Sequence, residues 1–217
     1  MYAVGHMSLG YILALATSKT LRTKMNIPIV LLLSVIPDID ILIPQLQHRG
    51  PAHSIIVATI IFAPLFAIYT KRASPYYVAF IQHSLIGDYF TGGQMQLLWP
   101  LTTQYYGLEI SIRSAANITI EWTAFAAALI IMAKTGGLAS LFRPRHSNLI
   151  LAIPTSTVLL PTLLGFPLEV PIILVPPHIV YIAIFSASVA ICLFKILKSS
   201  ASRELNVAVS SDQQSIT

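Results

Sequence analysis

Two uncharged stretches limit what this chain can fold into. Residues 50–70 and 170–194 contain no Lys, Arg, Asp or Glu. A helix of about 20 apolar residues crosses the hydrocarbon core of a bilayer. In lipid the backbone must satisfy its own hydrogen bonds, so a spanning segment is a helix or part of a closed barrel. The rest of the chain agrees with that reading. Hydrophobic residues make up 55% and charged residues 10% of the 217, where soluble domains carry roughly a quarter charged, and mean hydropathy is +0.76. A water-soluble globule and a disordered chain are both excluded. The net charge of +5 would suit nucleic acid, but the 13 Lys and Arg sit in small groups between apolar runs. That is the pattern of membrane-protein loops, and no nucleic-acid partner is expected. Cys192 is the one cysteine, which rules out an intramolecular disulfide and a thiolate zinc cluster.

Candidate spans lie at 2–17, 27–43, 53–70, 75–90, 114–133, 147–165 and 171–194. The expected fold is therefore all-α, a polytopic transmembrane helical bundle of about seven spans. Pro37, Pro64, Pro154, Pro161, Pro176 and Pro177 fall inside them and Pro44 directly follows the second, so several are expected to be broken and to lie against protein or a wet cavity. With seven spans, Lys19, Arg22 and Lys24, then Lys71 and Arg72, then Lys134, Arg143 and Arg145, then Lys195, Lys198 and Arg203 all fall on one side. The positive-inside rule makes that side cytoplasmic, with the N-terminus out and the C-terminus in. The first span lacks a basic leader region and reads as a retained anchor. Residues 1–198 form one transmembrane helical domain in this reading, and the polar segment 199–217 is expected to be disordered. The expected location is the plasma membrane, with the lipid bilayer as a partner; oligomeric state is not encoded.

Ionisable groups inside such segments cost about 2.5–3.5 kcal/mol for an aspartate and are functional candidates by default. Most fall in the first ninety residues: His6, Asp38 and Asp40 in Pro37-Asp38-Ile39-Asp40, His48 and His53 in His48-Arg49-Gly50-Pro51-Ala52-His53-Ser54, and His83 with Asp88. Each sits at or near the outer end of its span, so seven metal-capable groups from four helices converge on one membrane face. Imidazole and carboxylate suit divalent metals, zinc first, with manganese or iron as alternatives. Asp38 and Asp40 would diverge by about 200° on a straight α-helix, so a proline-initiated turn is needed to offer both to adjacent metals. Pro51 favours helix initiation and places His53 in the first turn, beside Ser54. Arg49 presents a planar fork suited to phosphate, and paired metals on a phosphoester would clamp attacking water and leaving oxygen together.

Each feature also has a simpler structural reading. Asp-x-Asp is common in polar turns, His6 could be an interfacial histidine, and Arg49 could anchor at headgroups. Trp99, Tyr105 and Tyr106 fit an interfacial aromatic belt. Glu121 and His178 suit helix-packing hydrogen bonds, and His146 a solvated loop.

Taken in order, Gly5-His6, Pro37-Asp38-Ile39-Asp40, His48-Arg49-Gly50-x-x-His53-Ser54, His83…Asp88 and Gly92…Leu98-Trp99-Pro100 resemble the YdjM-like family of membrane-bound proteins. The resemblance is close over residues 1–100 and continues beyond only in hydropathy. It implies a metal-dependent hydrolase with a helical site like that of zinc-dependent phospholipase C. Asp38, Asp40, His53, His83 and Asp88 carry over as ligands, followed by His6 and His48. Two departures stand out. Ala52 replaces the family's usual threonine, and His83 and Asp88 are five apart where the family has His-x-x-x-Asp. Five residues are about 140° around an ideal helix, so a bulge at Gly87 is needed to return Asp88 to the face of His83.

The function expected is hydrolysis of a phosphoester or lipid at the extracytoplasmic face. Asp38, Asp40 and His53 are the catalytic candidates, and Arg49 and Ser54 the substrate-binding ones. The alternative from another class is a transporter or ion-conducting protein using the same cluster. Its pathway would have to continue through inner halves of the spans that are almost wholly apolar. A scaffold stabilised by a closed structural metal site is the third alternative.

Overall fold

A computed structural model of the protein describes residues 1–166 and 169–214, with side chains described as far as residue 199. The chain is about 72% helical, with no strand among the described residues. α1 (Ala3–Thr20) is followed by α2 (Ile27–Leu33) and a 3₁₀ turn, Ile36–Leu42. A second 3₁₀ turn, Pro51–His53, leads into α3 (Ile55–Tyr69). α4 (Ser74–Gln82) continues directly into a π-helical turn, His83–Asp88. After an irregular segment come α5 (Ala115–Lys134) and α6 (Gly137–Leu141). The region 146–163 is a chain of short pieces around α7 (Ala152–Pro154) and α8 (Leu160–Leu163). α9 (Val175–Gln214) closes the fold. The tail expected from 199 has its side chains, from residue 200 on, outside the described residues.

Among the described residues, three stretches are long and apolar enough to cross a membrane: Ile55–Asp88, Ala115–Lys134 and Ile172–Ser199. The first is folded back on itself. Thr70 has φ 50°, a left-handed conformation costly for a β-branched residue, and it ends α3. Phe62 and Phe80 then meet with ring centroids 5.8 Å apart, and Thr59 Oγ1 lies 2.8 Å from the Tyr77 hydroxyl. Residues 18 apart on a straight helix would be about 27 Å apart, so α3 and α4 form an antiparallel hairpin. The expected spans at 27–43 and 147–165 are interrupted, for the reason their prolines supply. Pro37 starts the 3₁₀ turn after α2, and Pro154 and Pro161 flank a π-helical turn, each removing one helical N–H.

α1 is the centre of the bundle and packs against α2, α4 and α5. Its Val4, Met7 and Tyr11 meet Phe125, Ala128 and Met132 of α5 and Tyr181 and Phe185 of α9. The hydroxyls of Ser8 and Tyr181 satisfy each other at 2.8 Å, as buried polar groups must. Because α1–α4 run alternately up and down, one end of the bundle collects the start of α1, the end of α2, the start of α3 and the end of α4. The opposite end carries Lys19, Arg22, Lys24, Lys71 and Arg72.

Candidate metal centre

Local structure explains how each side chain reaches that end. Pro37 fixes the first turn of the 3₁₀ segment and puts Asp38 in it. Pro51 initiates the next turn and leaves His53 as its last residue. His83 and Asp88 lie at the two ends of the π-turn. A π-helix closes i→i+5 hydrogen bonds, so residues five apart return to one face, which an α-helix would not allow.

Four ligand atoms face one another here. His83 Nε2 is 3.3 Å from Asp38 Oδ1 and 3.7 Å from Asp88 Oδ2. His53 Nε2 is 3.7 Å from Asp38 Oδ1 and 3.5 Å from Asp88 Oδ2. All pairs in the set fall within 4.8 Å. Tetrahedral zinc with bonds of about 2.05 Å sets its ligand atoms roughly 3.3–3.4 Å apart, so the spacing fits a divalent first-row ion with little adjustment. His53 Nε2, His83 Nε2 and Asp88 Oδ2 are buried without a hydrogen-bond partner. Leaving such atoms unpaired is costly, and one cation would satisfy them together. The Asp38, His53, His83, Asp88 group can therefore hold a metal ion.

A second layer aims these ligands. His83 Nδ1 donates to the Ser34 carbonyl at 2.9 Å, which leaves the Nε2 lone pair pointing into the cluster. His53 Nδ1 faces Asp40 Oδ2 at 3.3 Å, without the alignment of a full hydrogen bond. Asp40 is itself held by His48 Nδ1 at 2.9 Å and the Arg49 backbone N–H at 3.3 Å. Asp40, His48 and His53 form a second group spaced for a metal. On the inner side, His6 Nε2 lies 3.2 Å from Asp88 Oδ1, and its ring stacks on His83 at 3.7 Å. The Met1 amino group also reaches Asp88 Oδ1, at 3.3 Å. Asp88 thus has one oxygen engaged by the second layer and the other turned to the cluster.

The sequence profile of the YdjM inner membrane protein family matches residues 1–164, about three-quarters of the chain and every residue of both groups. The chain belongs to the YdjM inner membrane protein family. It is accordingly a multi-pass protein of the plasma membrane. No curated protein and no solved structure matches it.

Within this family member the seven expected groups are sorted rather than pooled. Asp38 and Asp40 fall in the two different groups spaced for a metal and face opposite nitrogens of the His53 ring that the groups share. A 3₁₀ turn separates residues two apart by about 240°, and His53 fits between the two carboxylates. His48 bonds Asp40 and sets its ring edge-on to His53 at 5.3 Å, with its side chain 34% exposed, and His6 touches Asp88 Oδ1 rather than the oxygen turned to the cluster. Ser54, expected to bind substrate, is the N-cap of α3. Its Oγ accepts from the N–H groups of Ile56 and Val57 and donates to the Trp99 carbonyl at 2.5 Å, so no valence remains for a ligand. Arg49 is partly committed. Its Nη1 donates to the Gly92 carbonyl, while Nη2 lies 3.7 Å from Asp88 Oδ2. Glu121 accepts from the Tyr2 backbone N–H at 2.7 Å and from Asn117 Nδ2 at 2.8 Å. That makes it a packing partner of the start of α1.

Two contributors escaped the sequence reading. Gln82 is buried and its Nε2 donates to the His6 carbonyl at 3.0 Å; an amide one residue before a histidine in an apolar run was the available signal. The Ser34 carbonyl carried no signal, since any residue type supplies one. Gly87 acquires a second role. A Cβ there would run into the His6 ring, so Gly87→Ala should push His6 off Asp88. We expect at least tenfold weaker metal binding, as for loss of an outer-layer partner, read by competition with a fluorescent chelator. Unchanged affinity would show that His6 does not act through Asp88.

Proposed function

We propose that the protein is an integral-membrane, metal-dependent hydrolase of a phosphoester, acting on a lipid at the extracytoplasmic face. One observation carries the reading. Four ligand atoms converge, three of them buried and unpaired, and the set is open on one side. Asp38, Asp88, His48 and Arg49 line a cavity there, together with Met1 and Thr162. A closed structural site would have no such opening. The basic end of the bundle lies opposite the cluster, and the positive-inside rule directs that end to the cytoplasm.

Asp38 Oδ1, His53 Nε2, His83 Nε2 and Asp88 Oδ2 are the atoms we assign to the metal, with zinc the best match to two imidazoles and two carboxylates. Such an ion supplies activation of water at neutral pH and neutralises charge on a phosphoryl oxygen. The chain's own residues do the rest. Asp40, 3.3 Å from His53 Nδ1, orients the ring by charge; it acts as a positioning residue. Asp38 is the most open of the four ligands, its side chain 16% exposed, which places its carboxylate to accept a proton from a water in the cavity. Arg49, braced by Gly92, directs its remaining N–H groups toward a phosphate bound beside Asp88.

The test is turnover of a phospholipid and phosphoester panel by the detergent-purified, zinc-loaded protein. Release of a headgroup or phosphate is expected, and Asp38→Ala should lower it by at least about 100-fold. No turnover of any phosphoester, together with metal-dependent cation uptake in proteoliposomes, would replace this reading with transport.

A further inference from the structure

A second cavity, of about 630 Å³, lies away from the cluster between α2 and the α3–α4 hairpin. Its walls are apolar: Leu33 and Ile36 on one side, Phe62, Leu65 and Phe80 on the other. The volume falls in the range of ligand sites, roughly 300–1,000 Å³. It opens toward lipid, for Ile61 and Leu65 on its wall are 53% and 36% exposed. Lys24, Arg72 and Tyr69 stand at its basic end.

We propose that this groove binds one anionic phospholipid, its phosphate held by Lys24 and Arg72 and one acyl chain lying along the apolar walls. Charge complementarity decides the headgroup. The segments 19–26 and 69–76 contain no Asp or Glu, so nothing here would pair with a choline or an ethanolamine. Neither Lys24 nor Arg72 is ion-paired to a carboxylate among the described residues; the ion pairs of the His/Asp cluster lie at the other end. Basic pockets between helices on the positive side of a membrane protein suit anionic headgroups. The rim is prebuilt, because the Tyr76 hydroxyl accepts from the Asn26 backbone N–H at 2.9 Å and ties the α1–α2 connection to α4. From that rim the groove runs toward Ile36, two residues before Asp38, as an acyl chain runs from headgroup toward the bilayer midplane.

The experiment places a reporter on the wall, Ile61→Trp, in the full chain reconstituted into phosphatidylcholine vesicles. Quenching by lipids brominated on the acyl chain is compared for phosphatidylglycerol and phosphatidylcholine headgroups, with the signal of Trp99 and Trp122 subtracted using the unaltered chain. Two cations at about fivefold each predict roughly 25-fold preference for phosphatidylglycerol. Lys24→Gln with Arg72→Gln should abolish it, whereas Lys134→Gln with Arg143→Gln should leave it intact. Lys24→Arg with Arg72→Lys should retain most of it, a control should the neutral pair fail to fold. Equal quenching by both headgroups overturns the proposal, and so does equal loss in the Lys134/Arg143 pair, which would mean diffuse surface attraction. Shielding of the reporter from every lipid would assign the groove to a second copy of the chain.

Discussion

Protein carrying His53→Ala should leave purification without its metal, in a fold that is otherwise intact. His53 is the one residue common to both groups spaced for a metal, its Nε2 facing Asp38 and Asp88 and its Nδ1 facing Asp40. Removing the ring takes away one ligand and leaves Asp38, Asp40 and Asp88 with fewer counter-charges in a buried space. We expect metal affinity to fall by more than about 100-fold, the upper end of what loss of an outer-layer partner costs. Asp40→Asn supplies the comparison. It keeps the volume and weakens only the orientation of His53, so its loss should lie between about 10- and 100-fold. Mass-spectrometric metal content beside a chelator competition separates the two. Equal and complete loss in both variants would make Asp40 a ligand in its own right, and full metal content in His53→Ala would remove the centre altogether.

Chelation should lower the unfolding temperature on the order of 10 °C. A ligand present at about 1,000 times its dissociation constant stabilises the native state by roughly 4 kcal/mol, and each kcal/mol moves the transition by about 2–4 °C at this chain length. The physical source is the set of unpaired buried atoms, His53 Nε2, His83 Nε2 and Asp88 Oδ2, which without a cation sit among carboxylates from the His83–Asp88 π-turn and the Ile36–Leu42 turn. Scanning fluorimetry of the purified protein with and without EDTA, then with zinc restored, reads the effect. His53→Ala should show no shift on chelation. A wild-type transition indifferent to EDTA would mean that these lone pairs hold no ion.

The residues that gather at the cluster were legible because they break a rule of composition. A carboxylate or imidazole in an apolar run needs a reason, and His6, Asp38, His53, His83 and Asp88 all meet near one end of the bundle. Their division into layers was not legible. Asp38 and Asp40 are the same residue type two positions apart, and only the pitch of the 3₁₀ turn assigns them to opposite sides of one ring. The five-residue spacing of His83 and Asp88 called for a bulge at Gly87, and the π-turn provides it. Ser54 carries two signals at once. Its position beside His53 drew attention to the chemistry, although a serine just before an apolar helical run is also an N-cap signal. Hydropathy found the hairpin of α3 and α4 through Lys71 and Arg72, but it described 27–43 and 147–165 as continuous where prolines divide them.

His6 and its partner Asp88 are 82 positions apart, and this separation has a consequence for biosynthesis. α1 leaves the ribosome before α2, α3 and α4, yet the groups that engage its polar end, Gln82, His83 and Asp88, are translated last in this part of the chain. At about 5–20 residues per second, the start of α1 waits roughly 4–16 s for them. During that interval a helix bearing an unpartnered histidine must be kept at the membrane, and the metal-binding set can close only after α4 has been delivered. Nascent chains truncated before residue 83 should therefore insert but recruit no metal.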